Sequence, residues 1–434
     1  MLEPPEAFGG RLRDLRVRRG VSQSDLAGEE LSPSYISRLE AGHRMPTDAV
    51  VRLLARRLDC SAEDLLFGEG TATPRDVELE LRHAEIALRT GAVGDAVERF
   101  ERLAALSGHP HLDALRDPVE LGYAQALEAD GDHEAALARY LRVSTGDPTS
   151  TQVHLATIGA CRCYLAYGDL TQAVETGEPL HRWLAGIDAL GTDAGIELTT
   201  VLAGAYQERG DLATANRLAA DALDRAELHG DPTALARAYL AASLAANEHG
   251  ATGEALRLAE RGLAALAGDG AADPSRLEIT YGGLLLREDP PRTDEAIRVL
   301  IGAKARLTAP HRRTTLAACL TELARAHLLA GEADRAVETA TAAADAAGES
   351  SLPDPARTRL VRAAALLAVG DASALEVLDS VARRLSAGGP TRGWARAWRE
   401  YGDLLRTLGR PDEALTAYDQ ALRRTGLLPS ARKG

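Results

Sequence analysis

Aromatic residues make up only 4% of the 434-residue sequence, and lysine is nearly missing: Lys304 and Lys433 are the sole lysines among 50 basic residues. So few large rings exclude a core built on Phe, Tyr and Trp, and favour helices packed through small side chains. No run approaches 18 consecutive apolar residues and no basic-then-apolar segment opens the chain, so a soluble, cytoplasmic protein without membrane contact is expected. Cysteine is scarce as well. Cys60, Cys161, Cys163 and Cys319 are scattered through expected helices and read as small apolar residues in a reducing compartment, with no metal or redox role. Catalytic signatures are absent: no G-x-x-x-x-G-K-[ST], no G-x-S-x-G and no H-E-x-x-H, so neither an enzyme nor a bound cofactor is expected. The cluster His109-Pro110-His111-x-Asp113 stands alone in a loop and reads as a polar linker.

What the chain does contain is Ala, Leu, Arg, Glu and Asp, in an acidic balance of −14 that is unevenly divided. Residues 1–68 hold ten Arg against eleven Asp and Glu, so the acidity lies almost wholly in the remainder. A nearly neutral module precedes an acidic one, and phosphate would repel only the second.

The first module reads as five short helices. Phe8 to Arg19 places Phe8, Leu12 and Leu15 at helical spacing with Gly20 as a stop. Ser22, with Asp25 three residues on, opens a helix over Gln23–Glu29. Ser32 caps a third helix with Pro33 at its first position, running through Tyr35, Ile36 and Leu39 to Gly42. Thr47 and Ser61 start two more.

These residues resemble the lambda-repressor-like, XRE-type helix-turn-helix family. The carriers are Arg16, Ser22-Gln23, Leu26-Ala27, Ser34-Tyr35-Ile36-Ser37-Arg38-Leu39-Glu40-x-Gly42 and Pro46, about 60 residues in all. The chain departs from the family between Leu26-Ala27 and Ile36, where it is one residue shorter and lacks the turn glycine around Glu30-Leu31. The resemblance implies a double-stranded DNA operator as partner. Gln23, Ser32, Ser34, Tyr35, Ser37, Arg38 and Arg44 then face DNA, with Arg38 the first choice for a base contact and Gln23 and Arg44 for phosphates. Arg16 and Glu40 match the family's internal ion pair.

Beyond residue 70 the sequence repeats. Gly91, Gly131, Gly168, Gly210, Gly250, Gly331, Gly370 and Gly409 punctuate it at intervals of 40, 37, 42, 40, 81, 39 and 39 residues; the long interval hides one unit that turns at Asp289-Pro290-Pro291-Arg292. Nine helix pairs result. A small residue follows each turn, as in Ala136, Ala173, Ala215, Ala336 and Ala414, and Asp-Pro steps at 117, 147, 231, 273 and 354 read as helix starts. The units resemble tetratricopeptide repeats stretched to about 40 residues, best at 197–225. The expected architecture is therefore all-α: a five-helix helix-turn-helix domain over 8–68, a linker over 69–76, a repeat superhelix over 77–425 and a flexible tail over 426–434.

In such arrays the first helix of each pair lines the concave side. The repeat register puts Arg162, Thr200, Gln207, Arg237, Asn247, Thr321 and Arg325 there, with Arg399 and Arg406 further on; the arginines either meet a ligand carboxylate or pair with acids of the array itself. Trp394 and Trp398 read as a terminal packing face or a dimer interface. The two-module layout is similar to that of peptide-sensing RRNPP-group regulators. It implies a homodimeric transcription regulator whose array binds a peptide or small-molecule effector; a protein-interaction adaptor is the alternative.

Overall fold

The computed structural model describes residues 5–67, 73–106, 112–229, 231–267, 273–307, 313–348 and 353–425, and these form 23 helices with no strand among them. His109, Pro110 and His111, the tail at 426–434 and part of the segment read as linker lie outside the described residues. Among the described residues no group of His, Cys, Asp and Glu is placed to hold a metal, and no helix is long and apolar enough to cross a membrane.

Five helices open the chain: α1 (Pro5–Arg18), α2 (Gln23–Ala27), α3 (Pro33–Glu40), α4 (Asp48–Arg57) and α5 (Ala62–Phe67). One core unites them, in which Phe8, Leu12, Leu26, Ile36, Leu39, Leu54, Leu58 and Leu65 are fully buried. The starts follow the sequence closely. Ser22 and Asp25 form a reciprocal capping box, and the Ser32 hydroxyl accepts from the Tyr35 amide at 3.2 Å. Gly9 lets α1 lie against the end of α3, since a Cβ there would collide with the carbonyls of Leu39 and Glu40. α2 ends at Ala27, two residues earlier than expected, because Gly28 takes a positive φ of 54°. The Arg57 guanidinium fills that turn. It donates to the carbonyls of Leu26 (2.9 Å) and Ala27 (2.6 Å) and pairs with Glu30. A side chain from α4 thus closes the shortened turn.

Nine pairs follow: α6 (Pro74–Arg89) with α7 (Val93–Leu106), α8 (Asp113–Asp130) with α9 (His133–Ser144), α10 (Thr151–Tyr167) with α11 (Leu170–Gly186), α12 (Asp193–Arg209) with α13 (Leu212–His229), α14 (Pro232–Glu248) with α15 (Thr252–Leu266), α16 (Ser275–Leu285) with α17 (Thr293–Arg306), α18 (Arg313–Leu329) with α19 (Ala333–Ala347), α20 (Pro353–Ala368) with α21 (Ser373–Ala387), and α22 (Arg392–Thr407) with α23 (Pro411–Arg424). All eight punctuating glycines adopt a positive φ, between 73° and 95°. Each second helix buries one alanine near its start: Ala96, Ala136, Ala173, Ala215, Ala255, Ala296, Ala336, Ala374 and Ala414 are at most 2% exposed. The Asp-Pro steps are a correction. Only Asp231-Pro232 caps a helix as expected, with Asp231 accepting from the Ala234 amide at 2.7 Å. Pro118 lies inside α8, α10 starts three residues after Pro148, α16 starts after Pro274, and α20 begins at Pro353, ahead of Asp354.

The chain divides into two compact units, residues 1–126 and 127–434, with the division inside α8. In the first, the ring of Phe100 on α7 occupies the space that a Cβ on Gly122 of α8 would take. In the second, Cys161, Cys163 and Cys319 are fully buried, and burial pushes their thiols up to about 12, so they stay neutral and act as small apolar groups. Trp394 and Trp398 belong to the terminal core with Val381, Leu385, Tyr401 and Leu405. Their role is packing within the chain.

Candidate DNA-reading face and ligand-facing helices

In the first unit, one carboxylate organises three helices. Glu40, at the end of α3, accepts from Arg16 of α1 through two bonds (Nε to Oε1 2.5 Å, Nη2 to Oε2 3.0 Å) and from the Gln23 amide of α2 at 2.8 Å. Its side chain is 5% exposed. Burial alone would raise the Glu40 carboxyl, but Arg16 and Gln23 outweigh it and hold the group below the usual carboxylate range. Arg16 also donates to the carbonyl of Val21 at 3.0 Å. The arrangement fixes the angle of α3 against α1 and α2.

With its inner edge so held, α3 turns Ser32, Ser34, Ser37 and Arg38 outward, all exposed. Arg38 makes no side-chain hydrogen bond or ion pair among the described residues. Arg44 lies over the Tyr35 ring, 5.5 Å from its centroid, and Tyr35 itself is half-buried against the core. Gln23 is the departure: its amide is engaged by Glu40, so it positions α2 against α3. Sequence reasoning missed the Gln23 and Arg57 links because neither follows a local spacing rule.

In the second unit, the first helices of successive pairs carry a ladder of charges. Arg162 on α10 binds Glu128 on α8 with two bonds of 2.7 Å and Glu197 on α12 with a third of 2.7 Å, and Glu197 also accepts from Arg237 on α14 at 2.6 Å. Burial would lower the Arg162 pKa, but Glu128 and Glu197 reverse that and raise it; the same contact holds Glu128 below its ordinary value. Further along, Glu400 on α22 accepts from Arg325 of α18 (2.8 Å) and from Arg357 of α20 (3.0 Å). The start of α22 also reaches helices four and five pairs earlier. Arg392 and Arg396 bind Glu248 of α14 at 2.8 and 2.7 Å, Arg396 pairs with Glu208 of α12, and the Gly393 amide donates to Glu208 at 2.9 Å. Only a curved array brings such distant helices together, so these side chains lie on its inner side.

The expected groove residues thus have mixed fates. Arg162, Arg237 and Arg325 pair with acids of the array. Asn247 accepts from Arg287 at 3.0 Å, and the Thr200 hydroxyl returns to the Glu197 carbonyl at 2.8 Å. Gln207 is half-buried, while Arg399 and Arg406 are exposed. Thr321 is a correction: it is 6% exposed, bonded to the Ala317 carbonyl at 2.7 Å and the Thr358 hydroxyl at 2.9 Å, so it locks α18 to α20 and is closed to a ligand. Two inward arginines went unnoticed, Arg276 and Arg287. The repeat register could have found them, 39 residues after Arg237 and 40 after Asn247.

Comparison with known proteins agrees with this layout. Residues 7–66 match a helix-turn-helix domain family and residues 395–434 a tetratricopeptide repeat family. The Rap protein solved in complex with Competence and Sporulation Factor is similar at 13% identity, covering 82% of this chain and 98% of its own, with a TM-score of 0.56. The apo form of the quorum sensor NprR from B. thuringiensis is similar at 16% identity, covering 81% and 99%, with a TM-score of 0.50. The Cut9–Hcn1 hetero-tetramer of the APC/C is similar at 10% identity, covering 98% and 88%, with a TM-score of 0.51. At these identities the likeness shows the fold. No curated protein matches the sequence. The chain is a helix-turn-helix module followed by a tetratricopeptide-repeat superhelix.

Proposed function

We propose that the protein is a sequence-specific DNA-binding transcription regulator whose repeat array binds a signal and controls operator binding by a homodimer. The observation that carries this is the Glu40 hub together with what it leaves free. A buried, doubly bonded ion pair holds α3 rigid, and Ser34, Ser37 and Arg38 project from it without internal partners that would explain them. A helix fits the major groove, where a guanidinium pairs with two acceptors of guanine. Arg44 and the amides at the start of α2 then hold phosphates, and Gln23 sets the angle between α2 and α3.

A near-neutral module gains little non-specific attraction from phosphate, and the acidic array gains none. Operator affinity therefore depends on two modules engaging two half-sites, about 34–36 Å apart in this class of reader. An array that pairs two chains and changes shape with a ligand sets that spacing, so a signal bound there alters DNA affinity. The quorum sensor NprR and the Rap protein solved in complex with Competence and Sporulation Factor share this fold, which supports an array that binds a signal, with a peptide as the leading candidate and a small molecule as the other.

The test is retention of genomic DNA fragments, including the region upstream of the protein's own gene, across several salt concentrations. A regulator retains particular fragments with a steep salt slope, and Arg38→Ala abolishes this. Failure to retain any fragment at low salt contradicts the proposal and favours an adaptor that recruits a protein partner.

A further inference from the structure

Among the described residues, nearly every helix exposes one large apolar side chain or none. Two helices expose a pair: α6 leaves Leu79 (55%) and Ile86 (47%) open, and α23 leaves Leu415 (65%) and Leu422 (44%). These are the first and last helices of the array, where a repeat protein needs a polar outer face to stay soluble as a single chain. Each pair is seven residues apart, close to two helical turns, so both members lie on one face of their helix.

Charge follows the same period. On α6, Arg75, Arg82 and Arg89 recur every seven residues and share the outer face with Leu79 and Ile86, all of them exposed. Glu78 and Glu85 stand along one edge of that stripe and Asp76 and His83 along the other, yet Arg82 and Arg89 make no side-chain hydrogen bond or ion pair among the described residues. On α23, Asp412 and Asp419 recur at seven beside Leu415 and Leu422. Asp412 is exposed, and Asp419 holds Arg423, one turn along the same helix, at 2.7 Å. One helix therefore offers arginine alternating with leucine and isoleucine, the other aspartate alternating with leucine.

The order of the gaps selects a partner and a direction. From Leu79 the steps to Arg82, Ile86 and Arg89 are three, four and three residues, and from Leu422 back to Asp419, Leu415 and Asp412 they are three, four and three again. Laid antiparallel, the two faces set Leu79 against Leu422, Arg82 against Asp419, Ile86 against Leu415 and Arg89 against Asp412, over about 15 Å at 1.5 Å per residue. Steps of three and four are the seam spacing of paired helices. A parallel alignment instead opposes Leu79 to Asp412 and Arg82 to Leu415. Antiparallel pairing of α6 with another α6 opposes Leu79 to Arg89, and of α23 with another α23 opposes Leu415 to Asp419. Only the antiparallel match of α6 with α23 places apolar on apolar and arginine on aspartate throughout.

We propose that α6 of one copy docks antiparallel on α23 of a second copy, so that copies of this chain associate head to tail. Both faces are uncovered in the single chain, and two copies that exchange both contacts satisfy all four faces. Burial of the two apolar layers supplies attraction, while the Arg82–Asp419 and Arg89–Asp412 pairs fix direction and register. The inference names the interface of the homodimer in the proposed function and rests on that pairing.

The experiment is analytical ultracentrifugation of the full-length protein over a concentration series. Wild type should self-associate, and Arg82→Glu and Asp419→Arg should each weaken this by about tenfold or more, because like charges then face each other. An equimolar mixture of the two variants should regain the association, since each altered face meets its opposite charge on the other copy; misfolded variants could not recover in this way. Leu415→Ala should also weaken association, whereas Leu228→Ala, at a leucine 83% exposed on α13, should not. Single variants that associate like wild type, or a mixture that stays dissociated, would overturn the interface while leaving the homodimer reading intact. Wild type that stays monomeric at every concentration would contradict both.

Discussion

Arginines do opposite things in the two parts of this chain. In the five N-terminal helices, one arginine, Arg16, is locked to a buried carboxylate, while Arg38 on the same α3 support is left open to solvent. In the array the proportions reverse: Arg162, Arg237, Arg325, Arg357, Arg392 and Arg396 all bridge helices through carboxylates. A paired guanidinium holds two helices in register and has little left for a ligand. An unpaired one in a formed structure adds nothing to stability and is explained by what it meets.

That contrast can be broken at its strongest point first. Glu40→Ala leaves the Arg16 guanidinium uncompensated and frees Gln23, and should destabilise the N-terminal module by about 3–4 kcal/mol; a fall in the melting temperature of that transition checks this, and DNA retention should disappear with it. Next in size is a steric change in the array. Ala215, 1% exposed, faces its partner helix, and Ala215→Phe should cost about 2–3 kcal/mol and loosen the neighbouring pairs, seen as a lower and broader circular dichroism melt. Gly210→Val acts through strain, because Gly210 sits at a φ of 95°. Arg38→Ala should leave melting within about 0.5 kcal/mol of wild type while costing about 1–3 kcal/mol in specific DNA affinity.

The smallest effect is in acid. Glu128, Glu248 and Glu400 have folded pKa values below the ordinary 4.5, so the stability they contribute is complete above that value. It is lost as pH falls through the lowered folded values. Melting temperature of the array should thus be flat from neutral pH to about 5 and drop below 4.5. Glu400→Gln, which removes one such group, should flatten the drop.

Much of this was legible in the sequence because helix ends and packing steps are local. Eight glycines spaced by about 40 residues or, once, by twice that, alanines four or five residues on, and Ser22 and Ser32 as caps each follow from the backbone needs of one turn. The Arg16–Glu40 pair came only through family resemblance. What was not legible depends on residues far apart in the chain. Arg57 closing the α2–α3 turn links positions about 30 apart, and Arg396 reaches Glu208 across 188 residues. Thr321 was misplaced because the repeat register gives the helix face to within a residue, and one residue on a helix is 100°. The Asp-Pro steps misled for a related reason: proline fixes φ in a loop as well as it does in a first helical turn.

The most direct test of the central claim is a paired measurement on Arg38→Ala: its melting curve, and its retention of the fragment upstream of its own gene as salt is raised. The account predicts an unchanged melt with specific retention lost. Retention equal to wild type, or wild type that holds no fragment even at low salt, would contradict it.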